Sequence, residues 1–138
     1  MHKVIYDSLT GNTKRIASAI AEELGVKAMS VKEAVLPPED GVLFLGSGCY
    51  GDKPGENMAK LILTNDFSGR KVALFGTSGA GAGKEVEAME EMLKQKGAVV
   101  LGKYYCKGRA FIVVNIRHPD REDLENARRF TREMVKVA

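Results

Sequence analysis

Cysteines, basic runs and long apolar runs are scarce in this chain of 138 residues, and each scarcity removes a class of protein. Its two cysteines, Cys49 and Cys106, are too few for a disulfide framework and lack the spacing of a zinc site, so free thiols are expected. No apolar run approaches the roughly 20 residues needed to cross a bilayer. The first strand begins by Lys3, which leaves no room for a charged segment, an apolar core and a cleavage site; no secretory signal is expected, and the cytoplasm is the expected location. Net charge is +3, but the 21 Lys and Arg are spread over helices that also carry the 18 Asp and Glu. No basic run is interleaved with aromatics, so the charge reads as a solvated face rather than a nucleic-acid surface. Repeats, low-complexity segments and linkers are absent as well. What is left is one domain over residues 1–138, long enough to bury a core without metal or disulfide staples.

What the sequence does have is alternation. Apolar runs at Lys3–Tyr6, Val26–Ser30, Val42–Gly46, Lys71–Gly76 and Val99–Tyr105 read as strands, and the central VLFL and VALF runs are apolar on both faces, as strands covered on both sides must be. Between them lie amphipathic segments. Asn12–Leu24 puts Ile16, Ile20 and Leu24 on one stripe, Glu56–Thr64 offers Met58, Leu61 and Ile62, and Lys84–Lys96 offers Val86, Met89 and Leu93. Gly25 and Gly97 stand where C-terminal caps belong. A last helix, Asp120–Val137, follows Pro119 and presents Leu124, Ala127 and Met134. Glu33–Asp40, with Pro37-Pro38, has room for one turn at most. Five strands alternating with helices predict a doubly wound α/β domain with a parallel sheet and right-handed crossovers.

Such sheets bind ligands beyond the C-terminal edges of their strands. The loops at that edge are Ser8-Leu9-Thr10-Gly11-Asn12-Thr13, Ser47-Gly48-Cys49-Tyr50-Gly51-Asp52-Lys53 and Thr77-Ser78-Gly79-Ala80-Gly81-Ala82-Gly83. Three loops of small and polar residues facing one way suit a ligand contacted by backbone amides. The first has no Lys or Arg before Lys14, so a phosphate there would be held by hydroxyls, amides and the positive end of the next helix. The same residues also satisfy a turn followed by a helix cap, and both readings stand. Two apparent motifs fail on context. Gly46-Ser47-Gly48-Cys49-Tyr50-Gly51 spells GxGxxG, but Asp52-Lys53-Pro54 follow where a dinucleotide fingerprint needs an opening helix. Gly83-Lys84 resembles the end of a nucleotide P-loop, but Ser78 replaces its first Gly and Glu85 its Ser or Thr.

With these residues in view, the chain resembles the short-chain flavodoxins over nearly its whole length. IYDSLTGNT is similar to their signature of a hydrophobic strand, an aromatic and S/T-x-T-G-x-T; Tyr50-Gly51-Asp52 and the Thr77–Gly83 loop are the second and third elements. The resemblance implies a three-layer flavodoxin-like sheet of order 2-1-3-4-5 with non-covalently bound FMN. It places Ser8, Leu9, Thr10, Gly11, Asn12 and Thr13 around the 5′-phosphate. Ser47, Gly48, Cys49, Tyr50, Gly51, Asp52 and Lys53 on one side, and Thr77, Ser78, Gly79, Ala80, Gly81 and Gly83 on the other, would sandwich the isoalloxazine ring. Tyr50 is then a stacking residue, or else a rim aromatic. Gly51 is a hinge whose peptide turns its carbonyl to the N5–H of the reduced ring, or else a simple turn residue.

Departures from the family pattern matter too. Flavodoxins are strongly acidic, and their carboxylates help drive the second electron to low potential. Here Lys53 sits in the ring loop and the net charge is positive, so a less negative second couple is expected. TSGAGAG has no aromatic, which leaves one ring face open. An electron carrier serving redox partner proteins, as monomer or weak homodimer, is the leading expectation. Its rivals are a small FMN-dependent reductase driven by NAD(P)H or an electron carrier, and a flavoprotein dedicated to one enzyme, such as the ribonucleotide-reductase-associated flavodoxins. A phosphoacceptor receiver shares the topology but needs an acidic cluster where Asp7 stands alone. No metal site or catalytic residue is expected. Cys49 reads as a small filler residue. Cys106 should lie two strands away from it, about 10 Å at sheet spacing and too far for a resting disulfide. His118 reads as structural.

Overall fold

The computed structural model describes residues 2–36, 41–108 and 117–138. The described residues form β1 (Lys3–Asp7), α1 (Asn12–Leu24), β2 (Ala28–Ser30), β3 (Val42–Gly48), α2 (Glu56–Thr64), β4 (Lys71–Ser78), α3 (Lys84–Gln95), β5 (Val99–Lys107) and α4 (Arg121–Val137). All strand pairs are parallel and the order is β2-β1-β3-β4-β5, as expected of a flavodoxin-like sheet.

The apolar residues explain the layering. On one face Ile16, Ala17 and Ile20 of α1 and Ala127, Phe130 and Met134 of α4 pack on Val4, Val42, Phe44 and Phe75. On the other, Met58 and Ile62 of α2 and Val86, Met89 and Leu93 of α3 pack on Ile5, Leu43, Leu45 and Leu74. Successive strand residues point to opposite faces, so VLFL supplies Leu43 and Leu45 to one core and Val42 and Phe44 to the other. Among the described residues no helix is long and apolar enough to cross a membrane.

The structure shifts several predicted boundaries for identifiable reasons. β3 and β4 run on to Gly48 and Ser78, because Ser47 pairs with Asp7 and Gly76 and Gly48 pairs with Thr77, all within the sheet. Ser47, Gly48, Thr77 and Ser78 are therefore strand ends rather than loop residues. β5 continues through Lys107, paired with Ser78. β2 starts only at Ala28: Gly25 closes α1 in the left-handed region and the Val26 amide still bonds Ala21, so Val26 leaves the helix before it can join the sheet. α3 ends at Gln95, with Gly97 at φ +80° completing the exit, and Asp120 caps α4 rather than opening it. One turn over Val31–Glu33 follows β2; Pro37, Pro38 and the rest of the expected turn segment lie outside the described residues.

Candidate functional site

Among the described residues four helices open at the C-terminal edge of the sheet, and they differ in how their first turns are satisfied. Unbonded amides of a first turn must find side chains, water or a ligand. α4 is closed by a capping box, with Asp120 accepting from the Asp123 amide and Asp123 from that of Asp120. His118 Nδ1 lies 2.7 Å from the same Asp123 carboxylate, a structural role. α2 starts at Gly55 but borrows a cap from β1: buried Asp7 accepts from the Met58 amide at 3.0 Å. A Cβ on Gly55 would strike that carboxylate, so the close approach requires glycine. Ser47, fully buried, accepts from the Gly55 amide and donates to the Gly48 carbonyl, locking the same corner.

α1 and α3 open instead on left-handed glycines, Gly11 at φ +91° and Gly83 at φ +73°, with no side-chain cap. Ser8 Oγ accepts from the Gly11 amide and Ser78 Oγ from the Gly81 amide, each closing a tight turn just before its helix. Of the two readings of the first loop, the side-chain cap at Gly11 is not made among the described residues: Ser8 Oγ shapes the turn instead. Such a helix start is an anion site in form.

The loops are tied together below this edge. Thr13, buried, shares a 2.8 Å hydroxyl hydrogen bond with buried Thr77, joining the first turn of α1 to the end of β4. Tyr50, a little over a third exposed, accepts a 3.3 Å bond from the Leu9 amide, so the β1 and β3 loops meet through its phenol. Its ring lies against Gly48, where a Cβ would meet the hydroxyl at 2.8 Å. Burial pushes the Tyr50 phenol above its ordinary range. Gly51 at φ +62° and Asp52 at φ +63° make the turn that brings the Tyr50 amide to the Lys53 carbonyl. Two successive positive φ angles are what a type I′ turn demands. Lys53, Leu9, Thr10 and Ala80 are exposed, and Gly81 lies against Lys107 of β5.

Thus the three predicted loops do converge, with Thr13, Ser47 and Thr77 as their internal ties and Leu9, Thr10, Tyr50, Lys53 and Ala80 as their outer surface. No aromatic comes from the Thr77–Gly83 loop itself. Sequence reading missed the aromatic that stands behind it: Tyr105 of β5 covers Gly83, and Lys107 lies against Gly81. Their signal was only the strand's length, since both residues lie at or past its expected end.

A second residue escaped sequence reading. Glu85, in the first turn of α3, is fully buried over Gly76 of β4, whose missing Cβ makes the space. Neither carboxylate oxygen has a well-formed hydrogen bond among the described residues; the donors near it are its own amide and the weak Cys49 thiol. Burial raises its pKa to about 7, against the pull of its own amide and of the neighbouring Cys49 thiol. Cys49, half-buried, is pushed up in turn by burial and then by Glu85. The available signal was spacing: Glu85, Met89 and Leu93 are four residues apart on the buried stripe of α3. Cys106, buried in β5 beside Thr77, has its thiol pushed up to about 12 by burial, and both cysteines are free.

The flavodoxin domain profile matches residues 3–115. A flavodoxin of Clostridium beijerinckii is 33% identical over 110 residues, covering 72% of this chain and 80% of that one. An uncharacterised protein of Methanocaldococcus jannaschii is 27% identical across 96% of this chain and 97% of its own. Among solved structures, a flavodoxin from the domain Archaea superposes with TM-score 0.80 at 22% identity, covering 99% and 96% of the two chains. The parallel sheet of this order, the three loops meeting at its C-terminal edge and these matches lead to one conclusion: the chain belongs to the flavodoxin family, whose members bind FMN and transfer electrons with it.

Proposed function

We propose that this protein is an electron carrier that uses FMN at the C-terminal edge to serve a redox enzyme. The observation that carries the reading is the contrast between capped α2 and α4 and uncapped α1 and α3. In the first loop, Ser8 holds the Gly11 turn, so the amides entering α1 together with the exposed Thr10 hydroxyl are set for a phosphomonoester. Thr13 ties that loop to the end of β4 through Thr77, and its hydroxyl keeps hydrogen-bonding capacity for the phosphate. Tyr50 and the Gly51-Asp52 turn provide a surface on one side of the ring position, and the Ser78–Gly83 turn the other. Bound FMN supplies the electron-accepting chemistry; the protein binds, orients and sets the field.

Lys53 and Lys107 at the rim support a less negative second couple than an acidic carrier has, and a partner presenting carboxylates. Such a carrier would work in the cytoplasm as a monomer or weak homodimer. The small-residue Ser78–Gly83 turn favours a second reading, an FMN-dependent reductase, because a nicotinamide or small acceptor would find one ring face uncovered. Thr10→Ala tests the phosphate placement. It should weaken FMN binding about tenfold, the worth of one charge-assisted hydrogen bond, and leave riboflavin binding unchanged. Equal losses for both ligands would show that the phosphate lies elsewhere.

A further inference from the structure

The most unusual group in the described residues lies outside the set assigned above to flavin binding. Glu85 is a charged side chain with no exposed surface and no conventional partner on either oxygen, in a protein that otherwise pairs its buried polar groups: Asp7, Thr13, Ser47, Thr77 and Thr131 are all hydrogen-bonded. It is held beneath the ligand edge, not at a remote point. Its carboxyl fills the space over Gly76, the residue before Thr77, and the side chain acting on it from the β3–α2 loop is Cys49, next to Tyr50. Leaving such a carboxylate unpaired is costly unless it gains a proton. The titratable and charged groups facing it are Cys49 and Asp52 from that loop, Glu87 on α3 itself and Cys106 from β5. None is positive, so nothing among them compensates a second negative charge nearby.

We propose that Glu85 is a proton store for the electron-transfer site, taking up a proton when an electron arrives at the C-terminal edge and releasing it when the electron leaves. The step balances: one electron enters, one proton passes from water to a carboxylate oxygen, and an O–H bond forms with no other bond broken. Departure of the electron reverses it. The half-buried Cys49 thiol, beside Glu85 and partly exposed, is the polar group through which that proton reaches solvent. The store operates above about pH 7, because below that Glu85 already carries its proton before any electron arrives.

This inference rests on the electron-transfer reading, and the experiment separates the two. Flavin absorption of the purified wild-type and Glu85→Gln proteins is recorded first; wild type that binds no FMN refutes the reading, and with it the store. In FMN-loaded protein, reduced-minus-oxidised infrared spectra at pH 8 should show a new protonated-carboxyl band in wild type, absent from Glu85→Gln. Between pH 7 and 8 the wild-type midpoint of the second couple, where the ring nitrogen N5 already carries its proton, should fall towards the full linkage of 59 mV per tenfold drop in proton concentration for one electron, while Glu85→Gln stays flatter. If Glu85→Gln does not fold, glutamate labelled with ¹³C at the carboxyl shifts the band in wild type. Absence of the band, or identical pH slopes in the two proteins, would overturn the proposal.

Discussion

Replacing Glu85 by Gln should change how the stability of the flavin-free protein depends on pH. A carboxyl whose pKa is about 7 when folded and near its ordinary 4.5 when unfolded binds its proton more tightly in the native state. Below pH 4.5 both states are protonated and ionisation adds no cost. Between pH 4.5 and 7 the unfolded chain ionises first, so stability falls as pH rises; above about pH 7 the full cost is present. At 1.36 kcal/mol per tenfold in proton affinity, the rise from 4.5 to about 7 amounts to about 3 kcal/mol. Glu85→Gln keeps the shape and removes the titration. Urea unfolding of both proteins between pH 4 and 8 is the assay. With a denaturant slope of about 1–3 kcal/mol per molar, the midpoint of wild type should drop by 1 M or more relative to Glu85→Gln across that range. Parallel curves, with a gap that does not change with pH, would refute the assignment of an unpaired, ionising carboxyl at Glu85.

Other substitutions test the ties of the site. Thr13→Val leaves the buried Thr77 hydroxyl without its partner and should cost about 1–3 kcal/mol in urea unfolding, whereas Thr13→Val with Thr77→Val should recover much of that loss, since both polar groups are then gone. Asp7→Ala removes the borrowed cap of α2 and should cost about 1 kcal/mol, with the Met58 amide becoming faster to exchange its hydrogen.

Most of the fold was legible because the chain keeps its periodicities clean. The helical bounds of α1 and α2 follow from Ile16 and Ile20 and from Met58 and Ile62, whose four-residue spacing is visible within each segment. Strand ends were less legible. Ser47, Gly48, Thr77 and Ser78 are small and polar, and only the register with Asp7, Gly76 and Lys107 shows that the sheet continues through them. The site was legible as three loops but not in its internal wiring. Thr13 and Thr77 are 64 positions apart, and nothing local in either says that they bond to each other rather than to a ligand. Asp7 looked solitary for the same reason, since its partner is an amide of α2. Glu85 shows the limit most clearly: an acidic residue in the first turn of a helix ordinarily faces solvent and favours the positive end, and only the glycine at position 76 lets it turn inward.

The central claim is that the C-terminal edge holds FMN and passes its electrons to a partner one at a time. Anaerobic reductive titration of the FMN-loaded protein, with both midpoint potentials measured, tests it most directly. The account predicts two resolved one-electron steps, with the second couple less negative than in strongly acidic carriers and no oxidation of NADH or NADPH. A protein that takes up no flavin, or that is reduced in a single two-electron step by a nicotinamide, would contradict it.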